Sequence, residues 1–193
     1  MSDVTSVLFV GVGGQGTILA SKILTIGLIE HGYDVKMSEV HGMSQRGGSV
    51  STQVRFGQKV YSPIIGEGSA DILVSFEEME AARYARFLKK DGKMVVNKTQ
   101  IPSLPVLSGA CQYPQGIIEE LKKHVPVRDL DATKIATDLG NPKSANVVLL
   151  GALIEALGLH DIDWKRIIAK TVKPAFVDIN LKAFDAGMVA ARQ

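Results

Sequence analysis

The sequence predicts an α/β protein with a Rossmann-like, open and mainly parallel sheet. An apolar run from Val4 to Val10 ends in a glycine-rich turn, which leads directly into a long helical pattern. Strand and helix patterns then alternate along the chain, as they do in βαβ units. From about residue 140 onward every pattern is helical. We therefore expect a single domain, with a sheet core over about residues 1–140 and a helical cover over about residues 141–193.

The glycine-rich turn is the first candidate site. Gly11, Gly13 and Gly16 have the G-x-G-x-x-G spacing, and the turn contains a fourth glycine. Such a turn lets a phosphate approach bare backbone, and the helix that follows presents its free amides to it. The same spacing also serves close packing of a helix on a strand, so both interpretations stand at this point. The candidate ligand-binding residues are Gly11, Gly13, Gly14, Gln15, Gly16 and Thr17.

The helix after the turn is predicted to run from Thr17 to His31, with Gly32 as its C-terminal cap. Tyr33 to Ser38 has the pattern of a second strand, which would complete a βαβ unit of parallel strands with a right-handed crossover. Glu39 lies near the end of that strand, where a dinucleotide-binding protein holds ribose hydroxyls with an acid. A stand-alone nucleotide- or flavin-dependent enzyme is therefore one hypothesis.

A long polar, glycine-rich loop follows this strand, from Val40 to Gly48. It lies where the adenosine of a dinucleotide would need an open surface, which argues against a dinucleotide. Its residues supply hydrogen-bond donors, one fixed positive charge and flexible backbone, a set that suits an anion or a partner's ligand. An ordinary mobile connection is the alternative. The candidate residues of this loop are Ser44, Gln45, Arg46, Gly47 and Gly48.

The middle of the chain is predicted to contain a β-hairpin insertion and a surface helix. Apolar and polar residues alternate in Ser49 to Phe56, and the following Gly-Gln pair predicts a turn into a second strand over Lys59 to Ser62. A buried strand is expected over Ala70 to Phe76. The helix over Glu77 to Lys90 has early glutamates and late lysines that match the helix dipole. The next strand is predicted over Lys93 to Asn97.

The remainder of the chain begins with an irregular segment that contains three prolines, from Thr99 to Pro114. Ser144 and Asp163 are the expected N-caps of two later helices. The first of these helices is apolar nearly all round, so we expect it to be buried. With the tail it would also supply apolar surface for a partner, or for a homodimer of the isolated chain. The predicted elements are a strand over Val125–Asp129 and helices over Gln115–Lys123, Ala132–Leu139, Ala145–Leu157, Trp164–Val172 and Pro174–Arg192.

The composition argues against several classes of protein. The formal net charge of +2 over 193 residues is too small to indicate nucleic-acid binding. The most apolar later stretch, Val147 to Leu159, is too short to span a bilayer. The single cysteine, Cys111, excludes an internal disulfide and a self-contained iron–sulfur cluster, which needs about four thiolates. With no targeting segment visible, we expect a cytoplasmic protein.

The sequence offers little that could perform chemistry. Its four histidines lack metal-ligand spacing, and no Walker lysine follows the glycine turn. Cys111 has no neighbouring base in sequence, so we expect an inert thiol rather than a nucleophile. We therefore predict a ligand-binding domain with no catalytic residue and no metal site.

Two segments together carry a recognisable pattern. Gly11 to Thr17 and Glu39 to Val50 resemble the corresponding parts of the gamma component of 2-oxoacid:ferredoxin oxidoreductases. Three further pieces agree: Val60-Tyr61-Ser62-Pro63, Gly140-Asn141-Pro142 and Asn146 to Ala152. The resemblance covers nearly the whole chain and is greatest to the indolepyruvate branch of the family.

The resemblance implies a role in a larger enzyme. Enzymes of this family oxidatively decarboxylate a 2-oxoacid on thiamine diphosphate, pass electrons through iron–sulfur clusters to ferredoxin and transfer the acyl group to coenzyme A. Other subunits would carry the thiamine and the clusters, so this chain alone should be inactive. Its two glycine-rich segments would face the shared active site or the coenzyme A phosphates. A gamma subunit specific for pyruvate or 2-oxoglutarate, and a pure assembly scaffold, remain alternatives.

Overall fold

The computed structural model describes residues 4–41 and 47–192. Six strands in these residues form one open sheet: β1 (Thr5–Val12), β2 (Asp34–His41), β3 (Ser49–Gly57), β4 (Ala70–Ser75), β5 (Leu88–Asn97) and β6 (Val127–Leu130). Their order is β2-β3-β1-β4-β5-β6. The pairs β1–β4, β4–β5 and β5–β6 are parallel, whereas β3 is antiparallel to both of its neighbours. The predicted α/β class with a mainly parallel sheet is confirmed.

Helices pack on both faces of this sheet, except for the short α3, which has no buried residue. The helices are α1 (Thr17–Glu30), α2 (Glu78–Tyr84), α3 (Leu104–Leu107), α4 (Ile117–Lys122), α5 (Ala132–Asp138), α6 (Ala145–Leu157), α7 (Trp164–Thr171) and α8 (Val177–Ala190). Successive side chains of a strand point to opposite faces. Accordingly, Phe9 belongs to the apolar cluster under α1, α6, α7 and α8, while Leu8 belongs to the cluster under α2 and α4. The central strands β1 and β4 are therefore buried on both sides, whereas the edge strand β2 contains no buried residue.

The first βαβ unit differs from the expectation. β1 and β2 do not pair, because β3 lies between them and is antiparallel to both. The pairing of β1 with β3 runs from Thr5↔Phe56 to Val12↔Ser49. The hairpin of this protein is consequently formed by β2 and β3. The first two residues of the predicted polar loop, Val40 and His41, lie in β2. The predicted hairpin between Ser49–Phe56 and Lys59–Ser62 is wrong in its second strand.

Polar side chains explain why residues 59–62 form no strand. The amide of Val60 donates to Asp34 Oδ2 at 2.9 Å. The guanidinium of Arg55 donates to the carbonyl oxygens of Ser62 and Ile64 at 3.0 and 3.3 Å. Side chains of β2 and β3 thus bind backbone groups of this segment that a strand ladder would otherwise need.

The predicted helix over Glu77–Lys90 is too long. α2 ends at Tyr84, and a 3-10 turn over Ala85–Phe87 leads into β5. Lys89 and Lys90 therefore lie in a strand, where Lys89 forms an ion pair with Asp71 of β4. The tertiary pairing of β5 with β4 overrides the local helical charge pattern.

The two predicted N-caps have different outcomes. Asp163 caps α7 as expected, since its Oδ1 accepts a hydrogen bond from the amide of Arg166 at 3.1 Å. Ser144 makes no side-chain cap bond with α6. It ends a 3-10 turn over Pro142–Ser144 instead, and Asn141 caps that turn.

The predicted burial of α6 is confirmed, and α8 is the element that covers it. A Cβ on Gly151 would overlap the carbonyl of Phe184, and a Cβ on Gly187 would overlap the carbonyl of Val148. The two helices therefore touch backbone to backbone. Because α6 is enclosed within the chain, the expectation that it supplies apolar surface to a partner is wrong. None of the described helices is long and apolar enough to cross a membrane.

Candidate functional site

The glycine turn lies at the carboxyl end of β1, which is the usual ligand-binding edge of an α/β sheet. Packing accounts for two of its glycines. A Cβ on Gly11 would lie 2.9 Å from Gln15 Oε1 and from the Cβ of Phe76, and a Cβ on Gly16 would overlap the side-chain amide of Asn146. Gly14 is different. Its φ is 104°, and within residues 4–41 and 47–192 no other part of the chain comes within 4 Å of the place of its missing Cβ. The backbone at Gly14 is open to a ligand.

Gln15 holds the turn in shape. Its Oε1 accepts from the amide of Val12 at 2.8 Å, and its Nε2 donates to the carbonyl of Phe76 at 2.8 Å. Since both ends of the side-chain amide are engaged within the chain, Gln15 ties the end of β1 to the residue that follows β4. Among the predicted site residues, Gln15 therefore positions the others.

Asn146, at the start of α6, lies against the turn from the opposite side. Its Nδ2 donates to the carbonyl of Gly16 at 3.2 Å. Only 5% of the residue is exposed, and its buried Oδ1 has no hydrogen-bond partner among the described residues. A buried acceptor without a donor is costly, so it indicates a place where a further group fits. Asn146 was not predicted as a site residue, because it lies 130 residues from Gly16 in the chain.

A cavity of about 500 Å³ opens between the turn and α6. Among the described residues that line it there is no acid, and Lys143 supplies the positive charge. The amino-terminal end of α1 meets this cavity, where free helix amides favour an anion. The first amide of α6, that of Ala145, is already used, because it donates to the carbonyl of Pro142. Its polar side chains are Gln15, Asn97, Thr133, Lys143 and Asn146.

A second cavity of about 400 Å³ lies on the other side of the turn. Gly14 and Gly16 line both cavities. Glu39 and His41, at the end of β2, line only the second one. A ligand that follows the turn can therefore reach the foot of the polar loop.

The end of the polar loop is brought directly onto the glycine turn. The amide of Gly13 donates to the carbonyl of Gly48 at 2.9 Å. Gly47 has a φ of 75°, and none of the described residues beyond its chain neighbours has an atom within 4 Å of the place of its missing Cβ. The two predicted segments thus meet at Gly13 and Gly48. Ser44, Gln45 and Arg46 lie outside the described residues.

A buried acidic cluster beside the loop end was not predicted. Glu77 and Glu80 are only 1% and 4% exposed, although the sequence suggested a surface helix. Glu77 Oε1 accepts from the amide of Ile101 at 3.1 Å and from the hydroxyl of Tyr113, while Oε2 accepts from the amide of Glu80 at 2.9 Å. Burial, followed by the hydrogen bond to Glu77, raises the pKa of Tyr113.

Glu80 connects this cluster to the polar loop. Its Oε2 accepts from the hydroxyl of Ser49, the first residue of β3. Its Oε1 lies 3.4 Å from Nε of Arg83. Burial raises the pKa of Glu80, while Ser49 and Arg83 lower it and the charge of Glu77 adds to the rise. No group of three histidine, cysteine, aspartate or glutamate side chains in the described ranges has metal-binding geometry.

Comparison with known proteins identifies the family. Residues 6–190 match the family described as pyruvate ferredoxin/flavodoxin oxidoreductase. The chain belongs to this family. Indolepyruvate oxidoreductase subunit IorB of Pyrococcus horikoshii is 42% identical over 196 residues, which cover 97% of this chain and 96% of that protein. The resemblance stated from the two glycine-rich segments is confirmed.

Solved structures agree with the fold. The gamma subunit of a keto/oxoacid ferredoxin oxidoreductase from Geobacter sulfurreducens has a TM-score of 0.73 at 24% identity, covering 97% of this chain and 98% of its own. The 2-oxoglutarate:ferredoxin oxidoreductase of Magnetococcus marinus, solved with 2-oxoglutarate, coenzyme A and succinyl-CoA, has a TM-score of 0.73 at 20% identity. That match covers 100% of this chain and 32% of the longer protein.

Proposed function

We propose that the chain is the Rossmann-like, single-domain subunit of a cytoplasmic indolepyruvate:ferredoxin oxidoreductase. The similarity to the indolepyruvate oxidoreductase subunit of Pyrococcus horikoshii supports this choice of substrate. Partner subunits would carry the thiamine diphosphate and the iron–sulfur clusters, and would transfer electrons to ferredoxin. Family membership favours this role over a stand-alone nucleotide- or flavin-dependent enzyme.

Within that complex, the glycine turn holds the phosphate groups of coenzyme A. The meeting of Gly13 and Gly48 is the observation that carries this proposal, because it joins both predicted segments into one edge. The open backbone at Gly14, the first amides of α1 and the charge of Lys143 supply what a phosphate needs. The binding of coenzyme A by the related Magnetococcus enzyme supports this choice of ligand.

A pure scaffold role explains less. Packing alone accounts for glycine at positions 11 and 16, where a Cβ would collide with neighbours. It does not account for the empty space over Gly14 or for the acid-free cavity beside it. In the proposed role this chain binds and orients the thiol acceptor, and the thiamine-carrying subunit performs the chemistry on the 2-oxoacid.

The test is steady-state kinetics of the reconstituted complex with Lys143→Ala. Loss of one charge-assisted contact should raise KM for coenzyme A on the order of tenfold and leave kcat at saturation unchanged. Lys170→Ala is the matched control, since Lys170 is an exposed lysine in the last turn of α7. Equal KM values for both variants would show that the phosphates bind elsewhere.

A further inference from the structure

We propose that a groove beside the polar loop is the docking surface for the thiamine-carrying partner subunit, and that a basic side chain of that subunit enters it. The inference rests on the proposed function, because it takes the partner from it. The groove has a volume of about 480 Å³. We call it the acidic groove, and its key residues are Gly47, Ser49, Glu77, Glu80, Leu104 and Leu107.

The rim of the acidic groove is apolar and exposed. Leu104 and Leu107 are 81% and 69% exposed, and both line the groove. They lie on α3, a single turn of helix between Pro102 and Ala110 that has no place in either apolar cluster. Scattered exposed leucines are ordinary, but two on one turn over a cavity form a patch of the kind that partners cover.

The floor of the groove carries an incompletely balanced charge. Two carboxylates, those of Glu77 and Glu80, line the floor. The one positive charge among the described residues of the groove is the guanidinium of Arg83, which is half exposed. The bonds of Glu77 are directed to backbone amides and to Tyr113, which are neutral donors. A buried carboxylate gains most from a cation that arrives together with apolar cover, because the cover removes water from the pair. A basic side chain flanked by apolar residues has this chemistry.

The position of the groove favours the partner subunit over other occupants. Gly47 lines it, and the next residue, Gly48, is bonded to the glycine turn. A partner seated on the groove therefore touches the foot of the proposed coenzyme A site. Such a contact would bring the acyl acceptor held by this chain to the chemistry held by the partner.

The only cysteine of the chain reports on this surface. Cys111 is exposed, and its amide donates to the carbonyl of Pro105 on the rim at 3.3 Å. Alkylation of Cys111 by iodoacetamide, followed by peptide mass spectrometry, measures its accessibility in the free chain and in the assembled complex. Docking on the groove should slow the reaction by about tenfold or more, because water is excluded from the core of an interface.

Affinity of the variants provides the second measurement. The double change L104S/L107S removes the apolar rim, and E80Q removes the charge while keeping an oxygen that accepts from Ser49. Each should raise Kd for the thiamine-carrying subunit by about tenfold or more, with the isolated variants still folded by circular dichroism. The controls are I29S, an exposed apolar residue of α1, and E67Q, whose carboxylate pairs with Arg86 at the surface.

The outcomes separate the two proposals. A wild-type chain that fails to bind the thiamine-carrying subunit overturns the proposed function, and the docking surface with it. A wild-type chain that binds, with Kd unchanged by all groove variants and Cys111 equally reactive in the complex, overturns the docking surface alone. If the groove variants abolish a homodimer of this chain and leave its binding to the thiamine-carrying subunit unchanged, a second copy of the chain occupies the groove. This result would also overturn the proposed docking surface.

Discussion

The amide of Gly13 donates a hydrogen bond of 2.9 Å to the carbonyl of Gly48. Through this bond the turn after β1 and the connection between β2 and β3 share one edge of the sheet. Next to it, the hydroxyl of Ser49 donates to Glu80 on α2. The end of the polar loop is thus held from two sides, by the proposed coenzyme A site and by the acidic groove.

Gly16 is expected to tolerate no side chain. Gly16→Ala would place a Cβ against the side-chain amide of Asn146 at a φ of 84°, and should reduce the free energy of unfolding by about 2–3 kcal/mol. Gly158→Ala is the control, because its φ is 71° and no described residue lies within 4 Å of the place of its missing Cβ. Only the backbone strain of about 1 kcal/mol therefore applies. Urea denaturation followed by the fluorescence of the buried Trp164 measures both. Equal losses would contradict the steric role of Asn146.

Glu77 is expected to be a major structural acid. Glu77→Ala would remove the N-cap of α2 and leave the amide of Ile101 and the hydroxyl of Tyr113 without their acceptor. The cost should be about 3 kcal/mol in the free energy of unfolding. Glu78→Ala on the same helix should cost about 1 kcal/mol, since Glu78 accepts one bond, from Gln100 at 2.9 Å. Comparable losses for the two variants in urea denaturation would refute the special role of Glu77.

Glu80 should make stability depend on pH. Burial raises the pKa of Glu80 above its ordinary value of 4.5, so the native chain binds a proton more tightly than the unfolded chain. This contribution is complete below the unfolded pKa and is lost as pH rises through the folded pKa. Glu80→Gln has no such loss. The difference in unfolding free energy between Glu80→Gln and wild type should therefore shift in favour of the variant from pH 4 to pH 7. A constant difference over this range would contradict the raised pKa.

The prediction for Arg46 depends on the sequence alone, because this residue lies outside the described residues. Arg46→Ala should leave the chain folded and lower turnover or coenzyme A affinity in the complex. The lost contact should cost about 2–5 kcal/mol of binding free energy if the charge that Arg46 pairs with stays buried. Arg46→Lys should rescue only partly, since lysine lacks the planar guanidinium. Steady-state kinetics of the reconstituted complex at varied coenzyme A concentration measure both effects. Wild-type kcat and KM for Arg46→Ala would contradict the functional interpretation of the loop.

Local patterns predicted much of this fold. The strand, glycine turn and first helix follow from the apolar run before Gly11 and the periodicity after it, and α6 has the predicted bounds, Ala145–Leu157. The position of β3 between β1 and β2 was not predictable in this way, because strand order depends on pairings that no local pattern encodes. The same holds for Glu77, whose burial is set by Ile101 and Tyr113. The sequence placed these glutamates on a surface helix because early glutamates and late lysines match the helix dipole.

The candidate site was predicted in part. The sequence indicated the turn, and the structure places the end of the second glycine-rich segment beside it. Lys143 and Asn146 were missed as site residues, since each contributes through a contact across the fold rather than through a neighbour in the chain.

The most direct test of the account is reduction of a viologen dye by the purified components. The thiamine-carrying subunit and this chain, mixed with indolepyruvate and coenzyme A, should reduce the dye, with a higher kcat/KM for indolepyruvate than for pyruvate or 2-oxoglutarate. Neither component alone should do so. Full activity of the partner without this chain, or dye reduction by this chain alone, would contradict the account.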